Sequence, residues 1–159
     1  MTLTTQTMTR EQMKSVALEY LKRLDRGGDI FELFADDAEL YFPKYGVVNG
    51  LDEIQRLYGS VGQIIKEIRH DYAYFNFVCE GDMLVAEGTS AGTTQSGAEW
   101  RAGVTHAGRW CDVFEIRDFK IQRLFIYLDP DYGSEDTERY PWLQEGAADA
   151  APARAILAG

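Results

Sequence analysis

Beyond a polar stretch over residues 1–8, apolar side chains recur at Met13, Val16, Ala17, Tyr20, Leu21 and Leu24, a three-and-four spacing that lines one face of a helix. Thr9 with Gln12 three residues on is a capping-box signature for its start, and Gly27-Gly28 marks its end. A short helix from Asp29 to Phe34 leads through Asp36-Asp37 to Glu39–Phe42, a short strand that Pro43 stops. After a turn at Asn49-Gly50, helical spacing returns at Leu51, Ile54, Leu57, Tyr58, Val61, Ile64 and Ile65, weakened by Gly59 and Gly62.

From Arg69 onward the texture is that of strands. Tyr72–Cys79 and Met83–Thr94 flank a Gly81-Asp82 turn, and Ser96-Gly97 turns the chain again. Trp100–Ile116 follows, with a break around Gly103–Gly108, and Phe119–Leu128 pairs back across Arg117-Asp118. Helices first and consecutive antiparallel strands afterwards predict an α+β domain over residues 9–130. Its N-terminal helices are expected on a strongly curved, mostly antiparallel sheet whose cone-shaped interior is a pocket. The tail over residues 131–159 carries Tyr132 and Tyr140-Pro141-Trp142-Leu143, which either cover the pocket mouth or pack outside it or across a dimer.

The charge balance narrows the partners. Sixteen Lys and Arg against 26 Asp and Glu give a net charge of −10, which repels phosphate backbones and anionic membranes, so neither nucleic acid nor membrane is expected. No run of 18 apolar residues is present, and the start Met1-Thr2-Leu3-Thr4-Thr5-Gln6 lacks a signal-peptide pattern. Two cysteines, Cys79 and Cys111, without Cys-x-x-Cys spacing argue against a disulfide framework or zinc site and suit a reduced, cytoplasmic protein. His70 and His106 are too few for most metal clusters, and Asp36-Asp37 reads as a capping and turning pair, so no metal or other cofactor is expected. Phosphate-binding glycine loops, a Gly-x-Ser-x-Gly elbow and His-Glu-x-x-His are all missing.

Asp112 is the most informative position. Alternation places it on one strand face with Trp110, Phe114 and Ile116, where a carboxyl must be paired or be held protonated by desolvation. The structural alternative is an aspartate bonded to a neighbouring tyrosine or backbone amide. His70 stands between the apolar helix and the aromatic strand as the best-placed general base, although its parity with Tyr72, Tyr74 and Asn76 also allows it to face outward. Asp25, in the last turn of the first helix, is positioned to orient His70 as in a His–Asp dyad, or is simply a solvated residue near a helix end. Tyr20 is explained by packing, yet its hydroxyl requires a partner.

The segments Leu24-Asp25-Arg26-Gly27-Gly28-Asp29, Phe34-Ala35-Asp36-Asp37-Ala38-Glu39-Leu40, Asn49-Gly50-Leu51-Asp52-Glu53-Ile54, Asp112–Asp118 and Tyr127-Leu128-Asp129 resemble the SnoaL-like, nuclear-transport-factor-2-like superfamily over about residues 9–130. The resemblance implies the α+β cone and a homo-oligomer, a dimer or trimer. It leaves activity open, because the superfamily includes isomerases, dehydratases, hydrolases, cyclases and non-enzymes.

Tyr20, Asp25 and His70 resemble the Tyr, Asp and His set of scytalone dehydratase and the bile-acid dehydratase, and Asp25 with His70 is similar to the pair of lindane dehydrochlorinase. Asp112 stands where ketosteroid isomerase has its protonated aspartate, and Tyr20 matches that enzyme's tyrosine. Phe42 replaces the isomerase's base and Ile126 an epoxide hydrolase's aspartate, so those activities lose support.

The resemblance therefore implies a cofactor-independent lyase, most simply a dehydratase, for a hydrophobic and cyclic or aromatic small molecule. His70, Asp25, Tyr20 and Asp112 are its expected catalytic residues, and Tyr41, Tyr45, Trp110, Phe114 and Ile126 its expected pocket. The alternatives are carbon–carbon cleavage by the same dyad, as in deformylation of lignin-derived diaryl compounds, and a non-catalytic binding or accessory protein.

Overall fold

The capping box at Thr9 forms as its spacing predicts. In the computed structural model, which describes residues 7–129, Gln12 N–H donates to Thr9 Oγ1 at 3.2 Å and Thr9 N–H to Gln12 Oε1 at 2.8 Å. Two of the helix's unsatisfied N-terminal donors are thereby met. Helix α1 spans Arg10–Arg26 and buries Met13, Val16, Ala17, Tyr20 and Leu21. It stops at Gly27, whose φ of 73° is a left-handed geometry that favours glycine.

A 3₁₀ turn at Phe31–Leu33 leads into β1 (Phe34–Phe42), β2 (Gly46–Asn49) and α2 (Leu51–Val61). The remaining strands are β3 (Ile65–His70), β4 (Asn76–Glu80), β5 (Met83–Thr94), β6 (Glu99–Arg101), β7 (Arg109–Arg117) and β8 (Lys120–Leu128). A second 3₁₀ turn, Tyr72–Tyr74, separates β3 from β4. The first six residues and the tail from residue 130, with the pocket cover expected at Tyr132 and Tyr140–Leu143, lie outside the described residues.

Three boundaries differ from the sequence reading. Helix α2 ends at Val61 rather than Ile65, because Gly62 closes it with an N–H donated to the Tyr58 carbonyl at 2.9 Å. Ile65 instead opens a strand, and α2 carries two glycines of low helix propensity at its weak end. Strand β1 begins at Phe34 and takes in Asp36-Asp37, which are exposed where its pairing to β8 shifts register between Phe34 and Glu39. On the β3–β4 edge, strand pairing resumes only at Asn76, four residues after Tyr72.

The sheet runs β2-β1-β8-β7-β5-β3, with β4 and β6 also paired to β5. Every pair is antiparallel except β1 with β8. The strongly curved, cone-forming sheet expected from the sequence is not what forms. The sheet is an open path with β2 and β3 at its two ends, and no pairing joins those ends. Closure requires that the end strands share a hydrogen-bond ladder; here the end strands are only four and six residues long and remain edges. Enclosure comes instead from α1 and α2, which cover one face.

That covered face carries Leu40, Leu84, Ala86, Phe114, Ile116 and Leu124, all fully buried against Tyr20, Leu21, Ile54 and Leu57 from the helices. Each buried leucine, isoleucine or phenylalanine there contributes about 1.5–3 kcal/mol of transfer free energy. No helix among the described residues is long and apolar enough to cross a membrane.

Candidate active site

The site begins where the edge beside β5 departs from regular pairing. His70 pairs with Ser90 and Asn76 with Glu87, so the five residues 71–75 stand opposite only Gly88 and Thr89. The extra residues form the 3₁₀ turn and reset the alternation. On β3 the even position His70 faces inward, whereas on β4 it is the odd Phe77, paired to the fully buried Ala86. Counting parity backward from Tyr72 therefore misleads: the His70 side chain is 6% exposed and lies on the helix side.

Asp25 meets it from the last turn of α1, where the helix dipole disfavours a negative charge. Three donors compensate. His70 Nδ1 lies 2.6 Å from Asp25 Oδ1, while Oδ2 accepts the His70 backbone N–H at 3.0 Å and the Tyr72 hydroxyl at 2.8 Å. Burial pushes the Asp25 carboxyl up, but the hydrogen bond and charge of His70 and the Tyr72 hydroxyl outweigh it and hold the group below the usual carboxylate value. An ionised Asp25 accepting from Nδ1–H leaves Nε2 as the basic nitrogen, the tautomer a general base needs. No described residue hydrogen-bonds Nε2.

Aromatic edges fix the ring. Trp110 stands perpendicular to His70 at 5.2 Å between centroids, and Phe75 touches both, at 6.5 Å from His70 and 5.0 Å from Trp110. This approach depends on Gly88, since a Cβ there would lie 2.7 Å from both Phe75 Cδ1 and Trp110 Cζ2. Neither indole nor phenyl can yield that far without leaving His70.

His70 and Asp25 line a cavity of about 500 Å³ between the sheet and the two helices. Phe42, Trp110, Ile126 and Leu128 supply apolar wall, and Tyr20, Tyr58 and Asp112 supply polar atoms. Asp112 faces inward as its alternation predicts and is 4% exposed. Burial pushes its carboxyl up to about 8, so at neutral pH it is chiefly the protonated acid, a hydrogen-bond donor. It makes no hydrogen bond with a described residue, so the structural alternative of a satisfied aspartate is not observed.

The Tyr20 and Tyr58 hydroxyls share a hydrogen bond. Burial, with the neighbouring acid groups, drives both phenols above their ordinary value, so both stay protonated. Tyr58 was legible only as a core position of α2. The signal that could have found it is the one that applied to Tyr20, a hydroxyl on an apolar helix face that needs a partner. In the sequence Tyr72 likewise reads only as part of a strand.

Among the expected pocket residues, Trp110 and Ile126 line the cavity. Phe114 lies beneath it, fully buried, with its ring edge on Tyr20 at 5.8 Å. Tyr41 and Tyr45 are elsewhere. Tyr41 packs on Phe125 and Tyr127, each at 5.6 Å, on the uncovered face of the sheet, and Tyr45 is 47% exposed in the turn after β1. The buried Leu40 and Phe42 on either side force Tyr41 outward. Among the described residues no group of three or more His, Cys, Asp or Glu is placed to hold a metal ion.

The sequence profile of the SnoaL-like domain matches residues 19–124. The chain belongs to the SnoaL-like family. Its fold is similar to that of an NTF2-like protein from Anabaena variabilis ATCC 29413, with a TM-score of 0.64 and 17% identity over 80% of this chain and 97% of that one. An NTF2-like protein from Burkholderia pseudomallei K96243 aligns with a TM-score of 0.63 and 17% identity over 82% and 97%. TerC co-crystallised with polyporic acid aligns with a TM-score of 0.62 and 19% identity over 85% and 99%. Likeness at this identity speaks for the shared fold. No curated protein matches the chain.

Proposed function

We propose that this SnoaL-like protein is a cofactor-independent lyase, most simply a dehydratase, acting on a hydrophobic small molecule that carries a carbonyl group and a hydroxyl on the next carbon but one. The observation that carries the reading is the hydrogen-bonded Asp25–His70 pair in the wall of an apolar cavity that also holds the neutral Asp112. His70 Nε2 accepts the proton from the carbon beside the carbonyl, and Asp25 stabilises the imidazolium that results. Charge passing to the carbonyl oxygen is met by donation from Asp112 or the Tyr20–Tyr58 pair, where exclusion of water strengthens each hydrogen bond. The imidazolium then returns its proton to the departing hydroxyl, which leaves as water while the carbon–carbon double bond forms. Every proton in this cycle is carried by a side chain of the chain itself.

The test is a screen of cyclic and aromatic hydroxy-carbonyl compounds for elimination, with products identified by mass. A turned-over substrate should lose about 10²–10⁴-fold in rate in His70→Ala with the fold intact. A product shortened by a formyl group instead of water would favour the carbon–carbon lyase. Tight ligand binding with no turnover across the panel would favour a binding protein.

We also propose that the uncovered sheet face is where two copies associate. Val78, Val85, Val113, Phe125, Tyr41 and Val47 stand in register across six strands as one apolar row, with Val78 and Val47 at least half exposed. A row of this length uncovered in a soluble domain is a feature of interaction surfaces.

A further inference from the structure

The three extra residues between β3 and β4 do something a plain edge strand would not. They turn the chain at Tyr72–Tyr74, with Tyr74 N–H donated to the Asp71 carbonyl at 3.0 Å, and carry the Tyr72 hydroxyl to Asp25 Oδ2 at 2.8 Å. Asp25 does not need this donor to be satisfied, since each of its oxygens already has one from His70. The Tyr72 ring is held for the purpose on Phe75 at 4.9 Å, and Phe75 in turn touches His70 and Trp110. One insertion thus supplies both the aromatic wall of the imidazole and a third donor to its carboxylate.

We propose that Tyr72 is a positioning residue that sets the proton affinity of His70 through Asp25. A hydroxyl donating to the carboxylate draws on the same negative charge that stabilises the imidazolium, so it fixes Asp25 in place and moderates its hold on the His70 proton. The other titratable and charged groups that line the cavity with His70 are Tyr20 and Arg23 from α1, Tyr58 from α2, Lys66 and Glu67 from β3, and Asp112 from β7, while the Arg26 charge acts on Tyr72. None of these hydrogen-bonds Asp25, which separates the effect of Tyr72 from theirs.

The experiment is an NMR titration of the histidine rings, which is direct because the chain has only two histidines and the His70 signals are those missing in His70→Gln. Tyr72→Phe should raise the His70 titration midpoint by about half to one pH unit, and Tyr72→Leu should move it in the same direction. Tyr74→Phe, in the same turn but without a bond to Asp25, should leave it in place. In an Asp25→Asn background the Tyr72→Phe shift should vanish, because the pair then acts through nothing shared.

A His70 midpoint unmoved or lowered in both Tyr72 variants would overturn the proposal, as would an upward shift that survives Asp25→Asn. The kinetic consequence, an equal upward displacement of the acid limb of the kcat profile, rests on the lyase reading. The titration does not, so absence of any turnover leaves this inference decided on its own terms.

Discussion

Asp25 and His70 lie 45 positions apart, yet the carboxylate of one binds both the ring Nδ1 and the backbone N–H of the other, at 2.6 and 3.0 Å. A single residue grips the imidazole and the strand that carries it. The same contact that sets the tautomer also joins the C-terminal end of α1 to the last residue of β3, so chemistry and packing cannot be varied independently here.

Asp25→Asn should therefore show in both. The rate should fall while ligand affinity persists, because asparagine keeps the size and shape of the side chain in the cavity wall. Stability should fall by about 1.5–3 kcal/mol at neutral pH, the range for hydrogen bonds to a charged group. The sign follows from the lowered carboxyl value: its contribution is present above the unfolded value and is lost as pH drops through the folded one. Urea unfolding of both proteins at pH 7 and below 4 should show the gap closing in acid; a gap independent of pH would point to a packing defect.

Asp112 has the opposite sign. Its carboxyl is raised from 3.8 to about 8 by burial, so its protonated form favours the fold fully below pH 3.8, and that advantage is lost as pH rises through about 8. Asp112→Asn keeps size and a donor but has no proton to lose. Melting temperatures across pH 5 to 9.5 should diverge in favour of the variant, levelling above about pH 8. Parallel curves would mean that Asp112 is already ionised in the fold.

Much of this was legible in the chain because it depended on local period and capping. The Thr9–Gln12 box, the Met83–Thr94 strand and the inward face of Asp112 each follow from spacing alone. What was not legible required knowing where a strand is interrupted. Residues 71–75 read as continuous β texture, and the register reset they cause is what turns His70 inward and gives Tyr72 its contact with Asp25. Tyr41 is expected in the pocket but lies outside it for a different reason: the alternation of the buried Leu40 and Phe42 puts it on the other face. The open sheet was hidden too, since closure depends on which edges pair across the whole fold.

Two glycines of β5 make a graded test of how rigidly the aromatic wall is packed. A Cβ at Gly88 would meet the Phe75 and Trp110 rings at 2.7 Å, whereas one at Gly92 would meet the Trp100 ring at 2.2 Å and the Glu67 carbonyl oxygen at 2.3 Å. At Gly88 the rings can shift by leaving His70, whereas at Gly92 the β3 backbone itself must move. Gly88→Ala should cost about 1–3 kcal/mol, typical of overpacking, and disturb the His70 ring signals. Gly92→Ala should cost more and loosen β3. Equal losses measured by urea unfolding would count against a rigid β3 edge.

The uncovered apolar row yields the last prediction. Val113 sits near its centre, flanked by Val85 on β5 and Phe125 on β8, with its side chain away from the cavity. Val113→Lys places a charge in the middle of any face-to-face contact and would have to bury it unpaired, which is strongly unfavourable. In a lone chain the same lysine reaches water along the sheet and costs little. Light scattering after size exclusion should therefore give a dimer for the parent chain and a monomer for the variant, with the monomer still showing the His70–Asp25 hydrogen bond in its ring spectrum. A parent chain that is monomeric at tens of micromolar, or a variant that remains dimeric, would move the contact off this face.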